Sequence, residues 1–312
     1  MSQGLAEAYD KQTVADVFLR YTQNRRLLEI LASYIGNGSE DYHIDVGFSG
    51  RLALFSCLAR DLCVVNLSQA QLDLGLSLLK ELIAYYEQYR DIQNDSSKTP
   101  ASFERALPAG SAEDIKSLVN EQIEIIARTG KTPRAPRTLN AYRQLFEFKT
   151  ESLTDSTFHT LSMIDVTVHI KDLAPIFREI NRVLIPGGVA IVTFYAPSSD
   201  AERENNATKY VDQIFYELCA EFSVPFGMIY EKEGGTLYPS RLYQEIAKRH
   251  SIDLAESLTK QHWLDLPFFQ LHTEEEINHF IQQSGLLTDA IETVPGGMFP
   301  AYRRVAIVEK PR

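Results

Sequence analysis

The chain has 312 residues, of which 44% are hydrophobic and 23% are charged, values that are typical of a globular protein and exclude wholesale disorder. Its formal charge of -11 argues against a sequence-independent grip on nucleic acid and against an anionic membrane surface, because both partners require a basic protein surface. We therefore expect a small-molecule substrate, with no nucleic acid and no membrane as partner.

Targeting signals and cysteine usage indicate a cytoplasmic protein. The N-terminus lacks the basic start and apolar core of a signal peptide, and no apolar run approaches the ~20 residues that span a bilayer. Cys57, Cys63 and Cys219 form no Cys-x-x-Cys pair, so buried free thiols are expected rather than a disulfide. The histidines show no ligand spacing, and we expect no metal site.

The first 40 residues predict a helical segment. Apolar residues recur at near-helical spacing over residues 5–35, and Gly36-Asn37-Gly38 interrupts the pattern. Such a segment can be plain packing or a lid over a site, and we expect a helical lid at residues 1–40.

The stretch Tyr42–Ser68 predicts the first half of a doubly wound nucleotide-binding sheet. A short strand at Ile44–Val46 leads into the glycine turn Gly47–Gly50, then into a helix at Leu52–Ala59 and a second strand at Leu62–Leu67. Glycines allow close backbone approach, and a helix N-terminus offers free N–H groups to an anionic ligand. The same turn could also do no more than connect a strand to a helix.

After Ser68, predicted strands and helices alternate less regularly. Ser68–Tyr86 predicts a helix with one apolar stripe, and residues 91–140 are expected to be a helical insertion before a third strand near Leu145–Phe148. The basic, proline-punctuated loop at residues 130–140 could reach a ligand or be a solvated connector.

Regular alternation then returns. Phe158–Ile164 predicts a fourth strand, Asp172 caps a helix that ends at Pro186-Gly187-Gly188, and Val189–Tyr195 predicts a fifth, fully buried strand. Strands that alternate with amphipathic helices imply a parallel sheet. Aromatic-rich residues 196–270 leave the end of the fifth strand, where doubly wound folds bind ligands.

The chain closes with two more strands. Thr273 and Glu276 have the spacing of a capping box for a final helix, Gly285 is expected to end it, and strands are predicted at Leu286–Thr293 and Arg304–Glu309.

Two segments resemble class I S-adenosylmethionine-dependent methyltransferases. Asp155–Phe194 is similar to the family's fourth strand, its Asp-x-x-x-His turn and the helix that ends Leu-x-Pro-Gly-Gly at Leu184–Gly188, and Phe268–Leu286 is similar to its aromatic–Thr–Glu–Glu helix. The resemblance implies an α/β fold with a doubly wound, seven-stranded, mostly parallel Rossmann-like sheet. The expected segments are a lid at 1–40, a core at 41–195 with an insertion at about 91–140, a substrate-pocket insertion at 196–270 and the last core elements at 271–312.

The first loop departs from the family's Asp/Glu-x-Gly-x-Gly-x-Gly pattern. Asp45 and Gly47 match, but Ser49 and Arg51 occupy the next two glycine positions, with Gly50 between them. Arg51 could meet the methionine carboxylate of the cofactor.

Two acidic positions of the family are also changed. Asn66 stands where a carboxylate usually accepts hydrogen bonds from both ribose hydroxyls, and Lys149 stands where an acidic residue is expected near the adenine, with Glu151 two residues on. The resemblance implies S-adenosylmethionine or S-adenosylhomocysteine as ligand. The candidate cofactor-binding residues are Asp45, Gly47, Gly50, Arg51, Asn66, Leu67, Glu151 and Met163.

The chemistry that the resemblance implies is in-line methyl displacement from sulfonium sulfur, with a base required where the acceptor loses a proton. His169 is the first candidate base, or it fixes the turn before the Asp172 helix. Tyr195 could line the acceptor pocket or cap a core strand. The candidate substrate-binding residues, each of which could equally be packing, are Tyr9, Tyr21, Tyr238, His262 and Trp263.

Three functions are compatible with these features. The first is a small-molecule methyltransferase, and a homodimer is compatible with it. The second is the same fold catalysing a cyclisation or rearrangement, and the third is a non-catalytic binding protein without the cofactor. The altered Ser49, Asn66 and Lys149 favour the second and third, whereas the intact region of the fourth and fifth strands and the well-formed insertion favour an active pocket.

Overall fold

The computed structural model of the protein describes residues 24–38, 40–94, 112–144, 153–196, 208–231, 235–296 and 303–312. The strands are β1 (Tyr42–Val46), β2 (Asp61–Asn66), β3 (Thr138–Arg143), β4 (Phe158–Met163), β5 (Leu184–Tyr195), β6 (Tyr230–Glu231), β7 (Thr236–Leu237), β8 (Phe269–Gln270), β9 (Leu287–Thr293) and β10 (Arg303–Glu309). The helices are α1 (Arg25–Tyr34), α2 (Ala53–Ser56), α3 (Gln69–Asn94), α4 (Ala112–Arg128), α5 (Ala174–Val183), α6 (Thr208–Glu221), α7 (Pro239–Arg249), α8 (Ile252–His262) and α9 (Glu274–Gln283), and 3₁₀ turns lie at Thr167–His169 and Phe226–Met228.

Seven strands form one sheet in the order β3-β2-β1-β4-β5-β10-β9. Strands β1 to β5 run parallel, and β10 is antiparallel to both of its neighbours, β5 and β9. Parallel strands require crossover connections, which the intervening helices provide. The prediction of a doubly wound, mostly parallel seven-stranded sheet is confirmed.

Helices cover both faces of this sheet because its central strands are apolar on both sides. Neighbouring residues of β5 point in opposite directions, so that Ile191 joins the apolar cluster formed with α1 to α4, whereas Ala190 joins the cluster formed with α5 and α9. Burial on both faces is typical of parallel sheets and explains the continuous apolar run of β5.

A third apolar cluster lies over the carboxyl ends of β4 and β5. It is built by α6 to α8 with the small sheet β6-β7-β8, and it includes Val168 and Tyr195 of the main sheet's edge. The His272 amide donates to the Tyr195 carbonyl at 3.2 Å, and the His272 ring hydrogen-bonds to the Ile170 carbonyl at 3.0 Å. The described part of the predicted 196–270 insertion therefore packs on the edge at which doubly wound folds bind ligands.

The third strand that the structure describes lies earlier in the chain than predicted. β3 occupies Thr138–Arg143, partly inside the segment interpreted as a connector, and the predicted position at residues 145–148 lies outside the described residues. β3 is an edge strand that pairs with β2, and its residues are exposed or half-buried. An apolar run was therefore the wrong signal for a strand at this place.

Other boundaries differ in ways that packing explains. α3 continues to Asn94, beyond the predicted end at Tyr86, and Pro186-Gly187-Gly188 lie inside β5, which begins at Leu184 directly after α5. Gly187 and Gly188 exchange backbone hydrogen bonds with Lys310 at 2.8 and 2.9 Å. The Thr273–Glu276 capping box forms as predicted.

The three cysteines are buried and free, as expected. None of the helices in the described ranges combines the length and the apolar character that crossing a membrane would require.

Candidate functional site

The first glycine of the turn after β1 lies directly under the connection that follows β4. Gly47 has φ 83°, and its amide and that of Phe48 both donate to the Val65 carbonyl, at 2.8 and 3.1 Å. A Cβ atom on Gly47 would lie 2.2 Å from Cγ2 of Val166. Both the backbone conformation and the space at this position therefore require glycine.

Packing against α3 explains why the second position of the turn, residue 50, is a glycine. Gly50 has φ 85°, and a Cβ atom there would lie 2.8 Å from the Cα atom of Gly75. The Phe48 ring covers Gly75 from the other direction, since a Cβ on Gly75 would lie 2.7 Å from Phe48 Cε1. The turn and the helix α3 approach each other through two glycines and one buried aromatic ring.

Asn66, at the end of β2, forms hydrogen bonds with both polar atoms of its side chain. Its Nδ2 donates to the Phe48 carbonyl at 2.7 Å, and its Oδ1 accepts from the Ser68 amide at 2.9 Å. Leu67, the next residue, packs half-buried against the apolar cluster of the insertion.

Asp45 lies beneath the turn in β1. It is buried, and the Ser56 hydroxyl donates to its Oδ2 at 2.7 Å. Burial raises the pKa of Asp45 to about 6, against the opposing effects of hydrogen bonds from Ser56 and Ser162 and the charge of Arg51. Met163 ends β4 beside this residue's strand, in register with Val46, and is fully buried.

The carboxyl edge of the sheet holds a buried cluster of charges. Asp165, the acidic residue of the Asp-x-x-x-His turn, accepts from Arg51 Nη2 at 2.8 Å and from Arg303 Nη2 at 3.0 Å. The side chains of Arg303, Asp165 and Arg51 are 0%, 2% and 8% exposed. Burial would raise the pKa of Asp165, but the charges of Arg303 and Arg51 hold it below its ordinary value.

Further groups fix the position of Asp165. The Tyr195 hydroxyl donates to its Oδ1 at 2.7 Å, and its amide donates to Thr193 Oγ1 at 2.7 Å. Asp165 has φ 60°, a left-handed conformation that is uncommon for a residue other than glycine. Residues from β4, β5, β10 and the glycine turn thus converge on one carboxylate.

His169 lies at the end of the 3₁₀ turn that follows Asp165. It is buried, and its ring centroid is 6.0 Å from that of Phe269 in the insertion. Burial lowers the pKa of His169 to about 4, although a hydrogen bond with the Phe268 backbone and the charge of Asp165 oppose the shift. An imidazole with this pKa is uncharged and weakly basic at neutral pH, which favours its role in fixing the turn over that of a general base.

The predicted substrate residues of the insertion lie in two places. The Tyr238 hydroxyl accepts from Lys171 Nζ at 2.9 Å, close to the His169 turn, and Arg241 stacks 3.7 Å from the Tyr238 ring centroid. His262 ends α8, and Trp263 packs half-buried against the insertion's own cluster. Tyr9, Tyr21 and Glu151 lie outside the described residues, as does Lys149.

Sequence reasoning missed Arg303 and Gln122. Arg303 opens an apolar closing strand yet is completely buried, and Gln122 Nε2 donates to the Arg51 carbonyl at 2.9 Å. An arginine inside an otherwise apolar strand signals a buried anionic partner, but Asp165 lies 138 residues away in the chain.

The residues around the turn fit the cofactor that the resemblance implies. Gly47 and Gly50 keep the positive φ angles of a turn that permits close backbone approach, and Arg51 places a cation beside it for an anionic group. The ribose position differs, because the Asn66 side chain is already engaged at both ends. Among the described residues, no group of three or more His, Cys, Asp and Glu side chains is arranged to hold a metal ion.

Comparisons with known proteins agree with this geometry. Residues 121–192 match the sequence model of a family described as a methyltransferase domain. That range contains the end of α4, β3, β4, the His169 turn, α5 and most of β5. No curated protein sequence matches the chain.

Three solved structures are similar to the chain to different degrees. A protein of Rhodobacter sphaeroides described as a Zn-dependent alcohol dehydrogenase is 10% identical with a TM-score of 0.58, covering 99% of this chain and 100% of its own. An S-adenosylmethionine-dependent methyltransferase of Methanosarcina mazei is 12% identical with a TM-score of 0.46, covering 90% of this chain and 97% of its own. Geranyl diphosphate C-methyltransferase of Streptomyces coelicolor A3(2), in complex with Mg²⁺, geranyl diphosphate and S-adenosyl-L-homocysteine, is 14% identical with a TM-score of 0.45, covering 91% of this chain and 78% of its own.

At 10% identity and a TM-score of 0.58, the Rhodobacter sphaeroides structure bears on the fold alone. The functional assignment rests on the matched domain, which includes the Asp165–His169 turn and its flanking strands, and on the seven-stranded sheet whose carboxyl edge holds the glycine turn. Residues 121–192 thus match a methyltransferase domain, and they include β3, β4 and most of β5 of the seven-stranded sheet.

Proposed function

We propose that this methyltransferase transfers the methyl group of S-adenosylmethionine to a small molecule, at the carboxyl edge of the sheet beneath the insertion. The observation that carries the proposal is the Asp165 cluster. It joins the glycine turn, through Arg51, to the ends of β4, β5 and β10, under the third apolar cluster. The expectation of a small molecule is supported by the formal net charge of -11, which disfavours nucleic acid as partner.

The cofactor, when bound, supplies an electrophilic methyl group on a sulfonium sulfur. The role of the protein is then to hold the two reactants in line and to exclude water. The glycine turn and Arg51 are suited to binding, and the packing of the insertion on Val168 and Tyr195 is suited to excluding solvent. His169, with a pKa of about 4, is suited to maintaining the turn rather than to removing a proton from the acceptor.

Methyl transfer can be followed with cofactor labelled in the methyl group. The protein is incubated with labelled S-adenosylmethionine and an extract separated into small molecules, protein and nucleic acid. We expect the label to appear in the small-molecule fraction and calorimetry to show binding of S-adenosylmethionine and S-adenosylhomocysteine. Label in the protein or nucleic acid fraction would overturn the small-molecule proposal.

A second function, a cyclisation or rearrangement on the same fold, is favoured by one observation. Two buried guanidinium groups face one carboxylate, and the pKa of the nearby Asp45 is raised to about 6. Guanidinium groups close to the glycine turn disfavour a cationic sulfonium ligand. This alternative predicts that the neutral sulfide of S-adenosylhomocysteine binds more tightly than S-adenosylmethionine and that no label is transferred to any fraction.

A further inference from the structure

The end of β2 and the glycine turn are fastened together by a small set of hydrogen bonds that centre on Asn66. We infer that Asn66 is a positioning residue, which holds the Gly47–Gly50 turn in the shape that receives the cofactor, and that it does not itself bind the ribose hydroxyls. The inference rests on the proposed function, because cofactor affinity is one of the measured quantities. The hydrogen bonds of Asn66 supply its geometry.

Three hydrogen bonds fasten the first two residues of the turn. The Val65 carbonyl accepts from the amides of Gly47 and Phe48, and the Asn66 Nδ2 donates to the Phe48 carbonyl at 2.7 Å. The Asn66 Oδ1 accepts from the Ser68 amide, one residue before α3 begins. The side chain of Asn66 therefore connects the turn to the start of α3.

The turn cannot shift without disturbing the packing around it. The buried Phe48 ring lies against Gly75, and the backbone of Gly50 approaches Gly75 closely enough that neither glycine tolerates a Cβ. On the opposite side, Val166 occupies the space beside Gly47. A change in the Phe48 carbonyl position would have to move these close contacts as well.

An amide is the side chain that this geometry requires. Asn66 must donate at Nδ2 and accept at Oδ1, and an ionised carboxylate has no donor. A carboxylate oxygen 2.7 Å from the Phe48 carbonyl oxygen would repel it, and the carbonyl would lose this hydrogen bond. The acidic residue that the family usually carries here would therefore oppose the turn conformation of this chain.

The most direct test is the substitution Asn66→Asp, which replaces the side-chain NH₂ group with an oxygen. We expect Asn66→Asp to raise the dissociation constant for S-adenosylhomocysteine about tenfold or more at about pH 7.5, because the turn loses a half-buried hydrogen bond and gains a repulsive contact. Hydrogen exchange at the Gly47 and Phe48 amides, measured without ligand, should become faster. A direct contact between Asn66 and the ribose diol predicts the opposite, namely tighter binding by the new carboxylate.

Asn181→Asp is the matched control. Asn181 Nδ2 donates to the Ser284 carbonyl at 2.6 Å, so the substitution removes the same type of bond at a place where α5 meets the end of α9. We expect this control to lose stability but to leave the dissociation constant within about twofold of the wild type and the turn amides unchanged. Equal weakening of binding by both substitutions would reduce Asn66 to a general stability role and overturn the inference.

Low pH should restore cofactor binding by the Asn66→Asp variant. A protonated carboxyl group regains a donor for the Phe48 carbonyl, so the ratio of the Asn66→Asp dissociation constant to that of the wild type should fall from about pH 7.5 to about pH 4.5. A ratio that stays constant, or a rise in affinity at neutral pH, would contradict the inference. If the wild type binds no ligand at millimolar concentration, the proposed function fails, and unchanged exchange at the turn amides of Asn66→Asp would independently overturn the positioning role.

Discussion

Arg303 Nη2 lies 2.9 Å from Oδ1 and 3.0 Å from Oδ2 of Asp165, between two side chains that are almost completely buried. Because Arg51 and Tyr195 bond to the same carboxylate, Asp165 pairs with both cations and also joins the glycine turn to β5 and β10. A buried ion pair adds little net stability over apolar packing, but the removal of one partner is costly because the other charge remains buried.

Asp165→Asn should therefore lower the free energy of unfolding by about 3–5 kcal/mol, since two buried guanidinium groups lose their counter-charge. Urea denaturation measures the change. Combining Asp165→Asn with Arg303→Met should recover part of the loss, because one unpaired cation is then removed. A loss below about 1 kcal/mol for the single variant would show that the cluster is hydrated and not buried.

Tyr195→Phe removes the hydroxyl that donates to Asp165 Oδ1 at 2.7 Å. We expect a loss of about 1–2 kcal/mol of unfolding free energy, together with a lower rate of methyl transfer if Tyr195 also borders the acceptor. Tyr34→Phe is the control, because the Tyr34 hydroxyl donates to Asp289 at an exposed site and its removal should cost below about 0.5 kcal/mol. Equal losses for the two variants would contradict the importance of the buried bond.

Gly47→Ala should destabilise the protein more than Gly130→Ala. Both glycines have positive φ, 83° and 71°, so both substitutions incur about 1–2 kcal/mol of backbone strain. A Cβ on Gly47 also meets Val166 at 2.2 Å, whereas no atom lies within 4 Å of a Cβ on Gly130. Thermal denaturation of the two variants isolates the steric part of the cost.

The Val166 contact has its own check. Adding Val166→Ala to Gly47→Ala should restore part of the excess loss by removing the colliding methyl group. Equal destabilisation in Gly47→Ala and Gly130→Ala, with no effect of Val166→Ala, would remove the close approach from the explanation of the turn.

Asp45 should make the stability of the wild type fall as pH rises. Its pKa is about 6 in the folded protein and 3.8 as the ordinary value, so the folded state holds the extra proton between these two pH values. The stabilisation is fully present below about pH 4 and is lost as pH rises through about 6.

Asp45→Asn removes this titration while keeping an acceptor for Ser56. The unfolding free energy of the variant, relative to the wild type, should therefore increase by about 2 kcal/mol between pH 4 and pH 7, at 1.36 kcal/mol per pKa unit. Guanidinium denaturation at several pH values measures the difference. A difference that is independent of pH would place the Asp45 carboxyl near its ordinary pKa.

Elements defined by local patterns were predictable from the residues themselves. The Thr273–Glu276 capping box joins groups three residues apart, and the apolar run that ends at Tyr195 is buried on both faces, so periodicity and spacing sufficed for both. The edge strand β3 was misplaced because its residues face solvent and carry little apolar signal.

The amino-acid sequence by itself determined the order of strands and helices, the class of sheet and the methyltransferase resemblance, because these depend on short-range periodicity and on contiguous motifs. Tertiary structure decided which polar side chains act together. Arg51, Asp165 and Arg303 are separated by more than a hundred residues at each step, and they meet because β1, β4, β5 and β10 bring their ends to one side of a single sheet. The sequence position of Asn66 likewise indicated a ribose ligand. In the folded protein, the Phe48 carbonyl lies within hydrogen-bond distance of the side-chain amide of Asn66.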